Sequence, residues 1–305
     1  MHLTATADRW LKENQDRLKR NTYKSYAQNF RDHLLPTLGD WPLHGITRQH
    51  LKTLLAQKKK AGLAPNSLRL ILAPLSKLYT DAIDAGLVQM NPALRPSKLA
   101  QVRGKKQAID IFTVEEEQTI LAAAERYAPK HYPIIFLLFR TGLRLGEALA
   151  LTWADLDLLQ GSAVIAKNWT HGHLELSTKT GRTRRVDLST KLCDVLQGWR
   201  EQQMSESEMK DTVPPTLLFP GRFGGHLDGK SWYTLWCKLL VRCHVRFRPP
   251  HHLRHTYASR LLANGESIVY VKDQLGHGSI QMTVDTYGHL IPGTNRQAVN
   301  KLDSA

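Results

Sequence analysis

The sequence predicts a mainly α-helical protein of two domains, the second carrying a small antiparallel β-sheet. Apolar residues recur at spacings of one, three and four through residues 1–95, the pattern of buried helix faces. A basic stretch at 96–110 carries no such pattern and reads as a linker. Beyond it, over 111–305, three short β-prone segments separated by glycines interrupt an otherwise helical pattern.

In the first domain, Trp10, Leu11, Tyr23, Tyr26, Phe30 and Leu34 mark the first helical faces. Leu35-Pro36-Thr37-Leu38-Gly39 breaks the pattern. Thr47 reads as the N-cap of a helix bearing Leu51, Leu54 and Leu55 and ending at Gly62. Asn66 or Ser67 is expected to start another, with Leu68, Ile71, Leu72, Leu75, Leu78 and Ile83 as its apolar side and Gly86 as its stop. The result is a bundle of roughly four helices. Its polar faces are basic, with Lys12, Arg17, Lys19, Arg20, Lys24, Arg31 and the run Lys58-Lys59-Lys60.

The linker holds Pro96, Arg103, Gly104, Lys105 and Lys106. Thr113-Val114-Glu115-Glu116 has the form of a capping box and opens the second domain, with helices expected near 114–127 and 131–140. Ala163–Ala166, Leu174–Leu176 and Arg185–Leu188 are the strand candidates, turned by Gly172 and Gly181. From Ser189 onward the pattern is helical again.

The 305 residues include 42 Lys and Arg against 27 Asp and Glu, a formal net charge of +15. That surplus points to a polyanion, nucleic acid before an anionic membrane surface. The longest strongly apolar run, Ile134–Phe139, is far short of the roughly 20 residues of a membrane span. The N-terminus has no apolar signal core, and Cys193, Cys237 and Cys243 make no disulfide framework, which fits a reducing cytosol.

The last 55 residues hold the densest set of reactive side chains. His251-His252-Leu253-Arg254-His255 opens a helix whose Leu253, Tyr257 and Leu261 face the core, with His251 and Arg254 together on another face. Asn264-Gly265 ends it, Ser267 starts another helix, and Gly276 and His277 follow, ahead of Tyr287. His251 and His255 have a spacing that can grip zinc, but no intervening Glu and no paired Cys completes a site, so no metal and no organic cofactor is expected.

Five segments together resemble the tyrosine recombinases of the phage-integrase family. Thr141-Gly142-Leu143-Arg144-Leu145-Gly146-Glu147 is similar to the family's first arginine box. Ser177-Thr178-Lys179-Thr180 resembles the segment carrying its lysine, His251-His252-Leu253-Arg254 its His-x-x-Arg box, Leu275-Gly276-His277 the next box, and Thr286-Tyr287-Gly288-His289 the nucleophile segment. The resemblance implies a SAM-like core-binding bundle, a mixed α/β catalytic domain, and the site residues Arg144, Lys179, His251, Arg254, His277 and Tyr287. It also implies a 3′-phosphotyrosyl intermediate formed without metal or ATP, used in integration and excision of a phage or mobile element. The implied partner is double-stranded DNA with inverted-repeat core sites, bound by a homotetramer whose two domains clamp the duplex, with an accessory bending or directionality protein. Such a tail as Thr294–Ala305 caps its own domain or docks on a neighbouring protomer, and the sequence leaves both open. The helical bundle begins almost at Met1, so the arm-site-binding domain of many phage integrases is not expected. A chromosome-dimer-resolving recombinase, a type IB topoisomerase and a DNA-binding protein that has lost catalysis are the alternatives.

The residue types suit that chemistry. Arg144 and Arg254 can clamp the non-bridging oxygens of a phosphodiester, each worth up to about 4 kcal/mol at 4 Å and an effective dielectric near 20. Ionising a tyrosine at pH 7 costs about 4 kcal/mol, which cations and a neighbouring histidine offset. By the resemblance Lys179 is the general acid for the leaving oxygen, with Lys167 its rival; His251 and His277 bind phosphate or assist proton transfer. Glu147 is expected to orient the site rather than react. Tyr257 and Tyr270 are expected in the core, and Arg182, Arg184 and Arg185 on the DNA backbone.

Overall fold

The computed structural model describes residues 1–100, 109–176, 183–288 and 300. They form two compact units, Met1–Gln107 and Ala108–Ala305.

The first unit is all helical: α1 Leu3–Glu13, α2 Arg20–Asn29, α3 Leu35–Leu38, α4 Arg48–Lys60, α5 Pro65–Asp84 and α6 Pro96–Leu99. Its core gathers Leu3, Ala7 and Trp10 of α1, Leu51, Leu54 and Leu55 of α4, and the Leu68, Ile71, Leu72, Leu75 and Leu78 stripe of α5. Trp10 donates its indole N–H to Asp81 (2.8 Å) and so ties α1 to α5. Thr47 caps α4, its hydroxyl accepting from His50 N while His50 Nδ1 accepts from Thr47 N.

Three details differ from the sequence reading. The expected break at Leu35–Gly39 is a widened π turn, Phe30–Leu34, that runs into α3; Pro36, which lacks an N–H and crowds the turn before it, follows directly. Helix α5 begins at Pro65, not at Asn66 or Ser67, because a proline costs nothing in a first turn that follows extended backbone, and Ile83 near its end is exposed. The first part of the expected linker belongs to the bundle, since α6 packs on α5 and buries Leu99 and Ala100.

In the second unit, α7 Val114–Tyr127, α8 Tyr132–Thr141 and α9 Leu145–Leu149 come first. The Thr113 and Glu116 side chains each accept from the other's backbone N–H and start α7. Helix α8 is buried all round from Ile134 to Phe139, which is why that run carries no polar face. Strands β1 Leu156–Asp157, β2 Ser162–Ile165 and β5 Arg184–Asp187 make a three-stranded antiparallel sheet in the order β1-β2-β5. Ala163 lies opposite Val186, both buried. Strands β3 Asn168–Thr170 and β4 His173–Glu175 form a separate hairpin, so the segment read as a middle strand leaves the first sheet.

Helices α10 Thr190–Met209, α11 Gly229–Arg242, α12 His251–Ala263, α13 Ile268–Leu275 and α14 Ile280–Tyr287 complete the unit. Trp232 and Trp236 of α11 are fully buried and stacked. A smaller apolar cluster, Ala258, Leu262, Val271, Leu275 and Tyr287, joins the last three helices. Among the described residues no helix is long and apolar enough to cross a membrane.

Glu117 on α7, 4% exposed, ion-pairs with both Arg140 of α8 and Arg260 of α12. Removing one member of such a group leaves the other charges without an answer. Glu117→Gln is therefore expected to destabilise the second unit by about 3 kcal/mol, read as a lower urea midpoint in tryptophan fluorescence.

Candidate active site

The site is assembled around a buried cation. Arg254, one turn into α12, is 2% exposed. It donates Nη1 to the carbonyl of Gly142 (3.0 Å) and Nη2 to the carbonyl of Leu275 (2.6 Å). One guanidinium thus pins the end of α8 and the end of α13 to α12. Both receiving segments turn through left-handed glycines, Gly142 at φ +61° and Gly276 at φ +65°. A side chain at Gly142 would also strike the Tyr257 ring. Burial, and then the charge of Arg144, lower the Arg254 pKa to about 9.

Arg144 precedes α9 and closes back on it. Its backbone N–H and its Nη1 both donate to Glu147, at 3.0 and 2.8 Å. Glu147 is 1% exposed and also takes two bonds from Arg184 of β5, Nη1 to Oε1 at 3.1 Å and Nη2 to Oε2 at 2.7 Å. Burial alone would raise this carboxyl; the bonds and charge of Arg184, and then the charge of Arg144, overcome it and hold the pKa at about 2. Arg184 is held from its other side, where Nε donates to the carbonyl of Gln274 (2.9 Å).

Tyr287 ends α14 with 1% of its surface exposed, and a hydrogen bond of 2.7 Å joins its hydroxyl to His255 Nδ1. Burial pushes the phenol up to about 12, with Arg254 pulling weakly the other way. His255 also lies edge-on to His251, ring centroids 4.8 Å apart. His251 keeps an exposed edge, yet burial of the rest of its ring, and then the charges of His255, Arg254 and Arg144, lower it to about 4. Burial and His252 do the same to His255, and burial and Arg254 to His277. His277 is fixed by a 2.8 Å bond between Nδ1 and the Thr283 hydroxyl.

Of the residues singled out in the sequence, Arg144, Arg254, His251, His277 and Tyr287 all lie in this part of the second unit. Lys179 lies outside the described residues, as do Arg182 and nearly all of the Thr294–Ala305 tail. Its rival Lys167 is held in an ion pair with Asp155 (2.9 Å). On α12 Leu253 is buried as expected, but Tyr257 and Leu261 are only half-buried and Arg254 lies deeper than either. Tyr270 is also half-buried and donates its hydroxyl to Asp187 (2.8 Å).

Arg184 is a correction to the sequence reading. It was expected on the DNA backbone with its neighbours, but its side chain is 9% exposed and both of its faces are occupied by the protein. Alternation along β5 was the available signal, since it turns Arg184 and Val186 inward and leaves Arg185 exposed. The sequence reading does not pair His255 with Tyr287: its place one turn after His251 is a local signal, but the approach of α14 is not. Among the described residues no group of three or more His, Cys, Asp or Glu side chains is placed to hold a metal.

Three guanidiniums around one carboxylate leave a surplus of positive charge, next to three histidines and a phenol. Such a pocket can stabilise charge growing on phosphate oxygens while a hydroxyl attacks.

Residues 110–292 match the model of the Phage integrase family, and residues 3–59 match that of the phage integrase N-terminal SAM-like domain. The ICEBs1 integrase of Bacillus subtilis (strain 168) is 27% identical over 296 residues, covering 93% of this chain and 78% of its own length. A protein named tyrosine recombinase XerC-like, from Caldanaerobacter subterraneus subsp. tengcongensis, is 26% identical over 310 residues, covering 92% of this chain and 77% of its own. The Tn1549 transposon integrase, solved in complex with transposon right end DNA, shares the fold with a TM-score of 0.81 at 20% identity, over 100% of this chain and 99% of that one.

The shifted groups set a stability profile. Glu147 favours the folded state fully above pH 4.5 and loses that contribution as pH falls toward 2, about 3 kcal/mol in all. The three histidines, lowered from 6.5, favour folding fully above pH 6.5 and lose it as pH falls toward 4. Tyr287 favours folding below pH 10 and loses it toward pH 12. Urea midpoints measured across pH should therefore fall from pH 6.5 downward, and in Glu147→Gln the part of the loss below pH 4.5 should shrink.

Proposed function

The chain belongs to the phage integrase family, and from that premise we propose that it is a site-specific DNA recombinase, the integrase of a mobile element, with Tyr287 as its nucleophile. The observation that carries this reading is the gathering of Arg144, Arg254, His251, His277 and Tyr287, from four separate stretches of sequence, into one cationic pocket.

In the proposed reaction Tyr287 Oη attacks a backbone phosphorus, the P–O5′ bond breaks, and a 3′-phosphotyrosyl joint and a free 5′-hydroxyl result. Arg144 and Arg254 clamp the non-bridging oxygens as charge grows on them. His251 and His277 add hydrogen bonds to the same oxygens and help move the phenol proton. Lys179 supplies the proton to the departing 5′ oxygen. The joint keeps the energy of the broken ester, so a second 5′-hydroxyl reverses the step without ATP.

Exchanging both strands of two duplexes takes four such joints. With one Tyr287 per chain, four chains act together on inverted-repeat core sites. Tail exchange between protomers, an accessory bending or directionality protein and a cytoplasmic setting complete the proposal. The likeness to a XerC-like recombinase supports a second reading, resolution of chromosome dimers, with the same chemistry on a different DNA.

The test is a nicked duplex built on inverted repeats flanking the gene, in which the cut strand drifts away and traps the covalent joint. Wild type should form a protein–DNA adduct. Tyr287→Phe should form none while still shifting the duplex in a gel, and Arg144→Lys and Arg254→Lys should slow adduct formation by about 10²–10³-fold. An adduct with the Phe variant overturns the assignment of the nucleophile.

A further inference from the structure

Glu147 poses a difficulty for the reaction just proposed, because a carboxylate bonded to Arg144 cancels the charge that arginine needs to grip phosphate. Arg184 resolves it. Its two terminal nitrogens take both oxygens of Glu147, while Arg144 uses only Nη1 and its backbone N–H on that carboxylate. The trio of two guanidiniums and one carboxylate therefore keeps one net positive charge, and Arg144 keeps Nε and Nη2 free of protein partners among the described residues.

Arg184 is itself seated by packing. Its side chain crosses Gly276 so closely that a Cβ there would lie 2.8 Å from Cδ, 2.9 Å from Nη1 and 3.0 Å from Cζ. The backbone beneath it is locked by Gln274, 5% exposed. Gln274 Oε1 accepts from Asp187 N (3.0 Å), its Nε2 donates to Asp187 Oδ2 (3.2 Å), and its carbonyl takes the Nε–H of Arg184. Strand β5 and helix α13 are thereby fixed in the register that aims Arg184 at Glu147. The glycine of the Leu275-Gly276-His277 segment has this second use, besides its left-handed turn: it leaves room for the guanidinium.

We propose that Arg184 is a positioning residue of the strand-transfer site, which holds Glu147 in place and offsets its charge so that Arg144 faces the scissile phosphate as an uncompensated cation. The inference rests on the recombinase reading above.

Single-turnover cleavage of the nicked duplex at saturating protein tests it, beside DNA affinity at several salt concentrations. Arg184→Ala should slow cleavage by about 100-fold and leave affinity and its salt dependence near wild type. Adding Glu147→Gln to Arg184→Ala removes the carboxylate that now cancels Arg144, and should restore at least about tenfold, a non-additivity that loss of structure alone would not give. Gly276→Ala should resemble Arg184→Ala. The proposal is overturned if Arg184→Ala weakens binding, lowers the salt slope by about one charge and cleaves normally when saturated, or if the double variant is slower than the single one.

A readout without DNA separates this inference from the function it rests on. The charged groups that face Glu147 are Arg144 just ahead of its helix and Arg184 on β5, both bonded to it, and Arg254 of α12, which acts on it through charge alone. In Arg184→Ala the stability lost between pH 4.5 and 2 should fall to less than roughly half of the wild-type loss, with Arg184→Lys in between. An unchanged acid loss overturns the proposal even where cleavage behaves as expected; absence of any wild-type adduct refutes the recombinase reading and leaves the acid readout to decide the role of Arg184.

Discussion

Arg254 is a full positive charge placed where water does not reach, and the arrangement of the second unit follows from satisfying it. A buried guanidinium left unpaired costs several kcal/mol. Among the described residues no carboxylate bonds to it directly; two backbone carbonyls do, from Gly142 and Leu275. Because those carbonyls belong to the ends of α8 and α13, the requirement that Arg254 be solvated by the protein also fixes where three helices meet. Neutral acceptors leave its charge unspent. A salt bridge at the same place would cancel much of the charge that attracts an anion.

The resting site is chemically quiet. Tyr287 holds its proton up to about pH 12, and the imidazole bonded to it takes one only near pH 4. Moving the proton between them is therefore uphill. Two changes lower that gap: withdrawal of the phenol from the Ala258, Leu262, Val271 and Leu275 cluster toward the guanidiniums, and arrival of an anion beside the histidines, which raises their affinity for a proton. A phosphodiester supplies the second, and its approach gives the hydroxyl a reason to make the first. In the proposed reaction, reactivity is thus tied to the presence of substrate by the same burial that keeps the hydroxyl stable without it.

Much of this was legible in the sequence, and the division between what was and was not has a physical basis. The α5 stripe, the Thr47 and Thr113 caps, and the buried run of α8 are local patterns, and they fold as their periods dictate. The segments carrying Arg144, Arg254, His277 and Tyr287 stand out in the sequence because each keeps its motif within a few residues. Contacts between segments were not written locally. Arg184 looked like one of several basic residues in a turn until pairing of β5 with β2 showed which way it points. His255 became a partner of Tyr287 only through the packing of α12 on α14, 32 residues apart in sequence. The outer edge of the bundle is nonlocal in the same way, because Leu99 and Ala100 bury against a helix that ends at Asp84.

Charge acts at two ranges in this chain, and the two have different tasks. Residues 41–109 hold 12 Lys and Arg but only two acids, Asp81 and Asp84, a density that attracts a polyanion across solvent. That attraction is screened within about 8–10 Å at physiological salt and distinguishes no phosphate from its neighbours. In the proposed reaction Arg144 and Arg254 work at contact distance, where salt scarcely enters, and their geometry selects a single phosphate. Raising salt should therefore detach the DNA well before it weakens the grip of the site on a phosphate already seated. Delivery of the duplex and chemical specificity are separate tasks for this reason: a diffuse field can deliver a duplex, but only fixed donors can stabilise charge that grows on one phosphorus.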